Sequence, residues 1–327
     1  MNKIVKYITY FVVFLILAVV AILSYVNAAM PNVGSAEDLK IDYTQERIEH
    51  GRYLANAVML CMDCHAQRDW TKFTGPPKEG TLGAGGDEFN QNDGFPGVFY
   101  AKNITPAGIS SYTDGELFRV ITTGVNKDGK AMFPIMPYLH YGKMDPEDIY
   151  SVIAYIRSLE PVQNEIPESQ PDFPFSLIVK TIPQKAQPQK RPDKSDWIAY
   201  GAYMTNASGC IECHTQVSGS GQIIKEQAFG GGREFVFPDG SVLRTMNITP
   251  DKTGIGTWTE EKFVRMFKQY ADSSYVAPTV APGEYNTIMP WMMYAHMEED
   301  DLKAIFAYLQ TVKPIENIVE RFTPPSE

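Results

Sequence analysis

Hydrophobic and polar positions divide the chain into an unbroken apolar run, two long stretches with helical periodicity, and a proline-rich segment between them. From Tyr7 to Val26 no charge interrupts the apolar run; Lys3 and Lys6 precede it, and Glu37 is the next charged residue. About twenty apolar residues suffice to cross a bilayer as a helix. Lysines before the run and none close behind it predict an N-terminus inside and the bulk of the chain outside. A cleaved signal peptide with Val26-Asn27-Ala28 as processing site is the alternative, but the length of the run favours an uncleaved anchor over residues 1–28.

Beyond this run the pattern is mainly helical and occurs twice. Asp145, Pro146, Glu147 and Asp148 form a helix start, with a capping Asp, a Pro at the first position and acids in the first turn. Ile149, Val152, Ile153 and Ile156 follow at i, i+3, i+4, i+7. Leu302, Ile305, Phe306 and Leu309 repeat this face, and Pro161 and Pro314 end the two runs. A middle helix is predicted after the capping box Thr113–Glu116, with Leu117, Val120 and Ile121 inward; its counterpart starts at Thr259 with Phe263, Met266 and Phe267. Tyr112 and Trp258 precede these two helices at matching positions, as core or cofactor-edge aromatics. Residues 71–100 and 215–245, rich in Gly with scattered Pro, Asn and Asp, read as loops rather than strands.

The two stretches align through five landmarks. Gly51 and Tyr53 match Gly201 and Tyr203; Gly85-Gly86-Asp87-Glu88-Phe89 matches Gly231-Gly232-Arg233-Glu234-Phe235. Asn103 to Pro106 matches Asn247 to Pro250, Met136-Pro137-Tyr138 matches Met289-Pro290-Trp291, and Ala154-Tyr155 matches Ala307-Tyr308. A repeat of this length predicts two similar domains, over 37–160 and 196–327. The glycines at 51 and 201 would let the first helix of each half cross closely against the last. The connecting residues 161–195 hold seven prolines and predict a semi-rigid linker; within it Phe173 to Val179 is apolar enough to pack on a domain or touch a membrane surface.

Charge narrows the range of partners. The net charge of −10 is shared between the halves, with 18 acidic against 12 basic residues over 37–160 and 17 against 10 over 195–327. Such a surface argues against nucleic acid; it fits either partners with basic docking patches or a charge that only keeps the domains soluble.

All four cysteines fall in Cys61-Met62-Asp63-Cys64-His65 and Cys210-Ile211-Glu212-Cys213-His214. The C-x-x-C-H spacing suits covalent attachment of a c-type haem: two thiols reach its two vinyl groups, and the adjacent His supplies a proximal nitrogen to the iron. A redox dithiol, or four thiolates around one zinc, are the alternatives, and neither requires a His after the second cysteine. Two covalently bound haems are therefore expected. Met136 and Met289 are the candidates for the opposite axial position. Each precedes a Pro, lies just before the last helix of its half, and occupies the same place in the repeat. Met144 and Met297 also match, but sit near the helix start and read as core. Ligation by a second His would draw on His50, His140 or His296, none of which is paired across the repeat; His140 and His296, close after the Met loops, read as surface groups or propionate neighbours. Asn103 to Thr105 and Asn247 to Thr249 are formally glycosylation sequons, but their repetition at one place argues for a structural role.

Together these residues resemble the membrane-anchored dihaem cytochromes c of bacterial respiratory chains. The pattern is most similar to the cytochrome c subunits that accept electrons from periplasmic alcohol, aldehyde and gluconate dehydrogenases. Its marks stand here as Cys210 to His214, Asn247 to Pro250, Gly254 to Thr259, Met289 to Trp291 and Ala307 to Leu309; the first half is looser, with Tyr112 where the second has Trp258. Those subunits carry three haem domains, whereas this chain has two motifs. The resemblance implies two tandem class I cytochrome c domains, mainly α, with His65/Met136 and His214/Met289 as ligand pairs. It also implies an electron carrier, not an enzyme, at the periplasmic face of the cytoplasmic membrane. Its redox partners would be a quinol-oxidising complex, a dehydrogenase or a terminal oxidase. A dihaem enzyme such as a peroxidase with one open iron, or a docking subunit with structural haems, are the other readings.

Overall fold

The structure is a computed structural model that describes residues 3–219 and 221–325. The apolar run forms one helix, α1 (Lys3–Ala29), with no buried residue. At 1.5 Å per residue it is about 40 Å long, enough for the hydrocarbon core and interfacial layers of a bilayer.

The rest is mainly helical and repeats one order of elements. The first unit opens with α2 (Gln45–Tyr53), capped by Thr44 and continued as a π-type turn over Leu54–Val58, then the one-turn α3 (Cys61–Cys64). Strands β1 (Glu88–Phe89) and β2 (Gly97–Tyr100) follow, then α4 (Pro106–Ile109), α5 (Asp114–Thr123), α6 (Tyr138–Tyr141) and α7 (Pro146–Ser158). The predicted caps are present: Thr113 and Glu116 form a capping box on α5, and Asp145 caps α7 with Pro146 at its first position. Residues 161–195 carry β3 (Gln170–Pro171) and α8 (Phe175–Ile178). The second unit runs α9 (Trp197–Ala207), α10 (Cys210–Cys213), β4 (Glu234–Val236), β5 (Val242–Arg244), α11 (Glu260–Lys268), α12 (Trp291–Tyr294), α13 (Glu299–Leu309) and β6 (Phe322–Thr323).

Two expectations change. The polar segments are not loops throughout: β1 pairs antiparallel with β2, and β4 with β5. Strands of two to four residues are too short to show a period, and the surrounding glycines mask them. The connecting segment is also partly held, because β3 adds to β2 just as β6 adds to β5. Phe175 within it packs its ring 5.2 Å from Phe133, as the apolar character of 173–179 predicts.

The glycine reading is supported directly. A Cβ on Gly51 would lie 1.8 Å from the Ser151 carbonyl oxygen, and one on Gly201 would lie 1.9 Å from that of Ala304. Only a hydrogen at these positions lets α2 cross α7, and α9 cross α13, at this distance. The faces of α7 and α13 bury Ile149, Val152 and Ile153, and Leu302, Ile305 and Leu309. Met144 and Met297 are core residues, each 1% exposed. Tyr112 and Trp258 pack half-buried on the core.

The units meet through a reciprocal clasp. Tyr53 on α2 donates to Asp301 on α13 at 2.5 Å and accepts the Glu298 amide at 3.0 Å. Tyr203 on α9 donates to Asp148 on α7 at 2.5 Å and accepts the Asp145 amide at 3.1 Å. Both aspartates are buried, and the connecting segment supplies their counter-charges: Arg191 to Asp148 at 2.7 Å and Lys194 to Asp301 at 3.2 Å. Burial first, and the adjoining carboxylate second, hold both phenols far above their usual pKa, so each stays a donor.

Removing one donor leaves a buried carboxylate oxygen short of a partner, which costs about 1–3 kcal/mol. Tyr53→Phe and Tyr203→Phe should each lower the unfolding free energy from urea titration by that amount, and the midpoint with it, with similar losses for the two sites. Wild-type midpoints in both variants would show that the clasp carries no stability.

Candidate haem centres

Each C-x-x-C-H motif begins on a sharp backbone reversal. The residue before the first cysteine is left-handed: Leu60 at φ 56° and Gly209 at φ 62°. The carbonyl before it is pinned by a buried tyrosine from the turn following the Met-Pro pair, Tyr141 to Met59 at 2.7 Å and Tyr294 to Ser208 at 2.6 Å. The next four residues make one helical turn, which sets the two cysteines at i, i+3 on one face. The His amide closes the turn on the first cysteine's carbonyl at 2.9 Å in both units. The His carbonyl accepts the first amide of the Gly-Gly pair, from Gly85 at 3.1 Å and Gly231 at 2.9 Å. Gly85 and Gly231 both have φ of 70°, and a Cβ would strike the chain opposite, which accounts for the repeated glycines.

The imidazoles are oriented from behind. His65 Nδ1 lies 2.6 Å from the Lys102 carbonyl oxygen, and His214 Nδ1 lies 2.9 Å from that of Met246. An acceptor there fixes the proton on Nδ1 and leaves the Nε2 lone pair for a metal. Burial lowers both pKa values, which favours the neutral ring. Both carbonyls immediately precede the Asn-Ile-Thr-Pro turns. There Asn103 Oδ1 accepts the Thr105 amide at 2.9 Å and hydroxyl at 2.7 Å, while its Nδ2 donates to the Val162 carbonyl at 2.8 Å. Asn247 does the same with Thr249 and Ile315. All four side chains are buried, so the repeated sequon is a structural clamp onto the chain leaving the last helix.

All four thiols are unpaired, and burial pushes those of Cys61, Cys64 and Cys210 up to about 12 and raises that of Cys213. A redox dithiol needs the opposite shift. Among the described residues no three His, Cys, Asp or Glu side chains converge as a metal cluster, so the four-thiolate zinc alternative lacks its geometry. Two free thiols on one face, followed by a neutral imidazole whose outer nitrogen has no partner among the described residues, fit a covalently held haem in each unit.

Met136 and Met289 pack half-buried on the cores in matching turns, ahead of α6 and α12. Pro137 and Pro290 have nearly equal dihedrals, and the amide after each proline donates to the Met carbonyl, at 2.7 Å and 2.8 Å. The other histidines are placed elsewhere. His50 Nε2 lies 2.7 Å from Asp148 in the clasp, and His296 is exposed. His140 is no free surface group: its Nδ1 meets Asn206 Oδ1 at 2.9 Å and its Nε2 meets Glu212 Oε1 at 2.6 Å.

Two features escaped sequence reasoning. The supporting acceptors, Lys102 and Met246, are main-chain groups whose side chains carry no signal. The second is a braid between units. Phe73 donates its amide to Pro278 at 2.8 Å, Val280 to Thr71 at 2.9 Å, and Thr74 to Asn286 Oδ1 at 2.9 Å. The loop leaving the first motif thus supports the segment that delivers Met289. The available signal was spacing: Thr259 to Met289 is seven residues longer than Thr113 to Met136.

The surroundings of the two motifs differ in charge. Around the first, Asp63 meets Arg68 at 3.2 Å, and burial lifts the Asp87 carboxyl to about 6. At the position matching Asp87 the second unit has Arg233, which donates to the Glu212 carbonyl.

The fold and these motifs define a c-type cytochrome domain, and comparison with known proteins agrees. Residues 198–313 match the family model described as cytochrome c, so the second half of the chain is a cytochrome c domain. The chain is 28% identical over 292 residues to the cytochrome c subunit of the quinone-dependent alcohol dehydrogenase of Gluconobacter oxydans, covering 84% of this chain and 56% of that protein. It is 26% identical over 317 residues to the gluconate 2-dehydrogenase cytochrome c subunit of Pantoea cypripedii, covering 89% and 65%. A dihaem cytochrome c-type protein of Cereibacter sphaeroides is 25% identical over 265 residues, covering 78% and 83%. The chain therefore spans between about half and two thirds of the length of the dehydrogenase subunits it resembles.

The Asp87 shift has a definite sign. A folded-state pKa above the unfolded value of 3.8 means that the folded chain binds the proton more tightly. This group therefore lowers stability as pH rises from about 4 to about 6. Asp87→Asn should raise stability at pH 7 by roughly 1 kcal/mol, allowing for partial exposure, and leave it unchanged at pH 4. Equal urea midpoints for variant and wild type at pH 7 would contradict this.

Proposed function

We propose that this chain is a dihaem c-type cytochrome that relays single electrons between redox proteins. It would be held by α1 at the outer face of the bacterial cytoplasmic membrane, with its globular part in the periplasm. The observation that carries the reading is duplication of a complete arrangement: two thiols on one helical turn, a His fixed by a main-chain carbonyl, and a Met-Pro turn ahead of the last helix. His65 with Met136, and His214 with Met289, are the proposed axial pairs.

Each haem would supply a ferrous/ferric couple. The protein's own contribution is placement. Cys61 and Cys64, and Cys210 and Cys213, would hold the ring by thioethers. The carbonyls of Lys102 and Met246 orient the imidazoles, and the two Met-Pro turns each offer a thioether from a backbone stiffened by proline. The Tyr53–Asp301 and Tyr203–Asp148 clasp, together with the 69–75 braid, holds the two centres at one separation, so exchange between them needs no domain motion.

The relatives are named as cytochrome c subunits of dehydrogenases, which supports an electron-transfer role over a catalytic one and makes a periplasmic dehydrogenase the leading donor. The acidic surface suits docking on a basic patch.

Intact mass spectrometry of the chain expressed with the c-type haem maturation machinery tests the assignment. Two covalent haems are expected in the wild type and one in Cys210→Ala/Cys213→Ala, with pyridine haemochrome absorbance halved. A single haem in the wild type would overturn the dihaem reading.

A further inference from the structure

Residues 173–190 contain three basic residues and no acidic one, in a chain of net charge −10. One side of this segment is fixed to the first unit. Phe175 packs on Phe133, which stacks on Phe99 at 4.4 Å, and Val179 is buried. The other side faces outward: Phe173 is 82% exposed and Ile178 47% exposed. The segment also touches the anchor helix. Short helix α8 lies against α1, and Lys180 Nζ donates to Asn27 Oδ1 at 2.6 Å, close to the end of α1. Tyr25 is exposed on the same last turns, and Tyr7 and Tyr10 at the opposite end, as in helices whose aromatic residues sit at the two membrane interfaces. With α1 across a bilayer, Asn27 lies at the outer headgroups, and Lys180, which reaches it, lies there too.

We propose that residues 173–190 form a second membrane contact. Phe173 and Ile178 enter the boundary between headgroups and acyl chains, while Lys180, Lys185 and Lys190 face anionic headgroups. Lys185 and Lys190 are exposed and make no ion pair among the described residues, so their charge is available to lipid. The occupant is a bilayer rather than a protein, because the patch is continuous with the end of a helix that is apolar on every face. The contact adds an orientation to the tether: it presses one side of the first unit to the membrane and leaves the second unit toward solvent partners. The inference rests on the anchoring of α1 proposed above.

The test uses the full-length, haem-loaded chain in nanodiscs of phosphatidylglycerol and phosphatidylcholine. A nitroxide is placed at Phe173→Cys, at Leu15→Cys within α1, or at Val276→Cys, a 77% exposed position of the second unit. Accessibility to oxygen, which concentrates in lipid, is compared with that to a water-soluble nickel chelate. The labels at 15 and 173 should favour oxygen and the label at 276 nickel. Replacing Lys180, Lys185 and Lys190 by Gln should shift position 173 toward nickel and leave position 15 unchanged. Nickel preference at 173 with oxygen preference at 15 overturns the second contact and leaves the anchor standing. Nickel preference at 15 overturns both. An unchanged contrast at 173 in the triple variant overturns the role given to the lysines.

Discussion

The bond between each histidine Nδ1 and a main-chain carbonyl is the constraint on which the rest of the molecule converges. To place that carbonyl, the Asn-Ile-Thr-Pro turn must be rigid. To be rigid, it clamps the strand of chain that leaves the last helix, through Val162 in one unit and Ile315 in the other. That chain is placed by the crossing of the first and last helices, close enough only because Gly51 and Gly201 have no side chain. Helix crossing, exit strand, turn, carbonyl and imidazole form one continuous series of contacts in each unit. A neutral imidazole held from behind needs no reorganisation to serve as a ligand.

Duplication alone would give two units on a tether. The reciprocal clasp makes them one body, and it does so with buried carboxylates, which are costly unless each oxygen is partnered. Here the tyrosine of one unit, a cation from the connecting segment and, for Asp301, a second phenol at 3.0 Å from Tyr200 meet that requirement. The connecting residues are thus part of the interface chemistry. Elsewhere the symmetry is deliberately incomplete. His140 reaches across to Glu212 within the second motif, and the first unit's 69–75 loop braids into the approach to Met289. The second centre is built partly by the first unit.

Much of this was legible in the sequence because it repeats. The C-x-x-C-H motifs, the helix caps at Thr113 and Asp145, the close-crossing glycines and the core role of Met144 and Met297 follow from side-chain type and position, and a second copy filters chance. What was not legible depends on main-chain groups or on distant partners. Lys102 and Met246 act through carbonyls, which any residue supplies. Asp148 read as a first-turn helix acid, since nothing local shows that it faces a tyrosine 55 positions away, and Asp301 faces one 248 positions away. Strands as short as β1 or β4 leave no alternation to detect. His140 looked like a surface group because its partners, Asn206 and Glu212, lie in the other unit.

The central claim is that both centres are closed, with a Met opposite each His, and coordination state tests it most directly. On the proposed reading, the visible spectrum of the purified, dithionite-reduced protein should be the same before and after carbon monoxide, as it would be with a protein ligand on both sides of each iron. A shift corresponding to one haem would mean that Met136 or Met289 is not a firm ligand. One centre would then be open to small molecules, and the electron-relay account would give way to an enzymatic one.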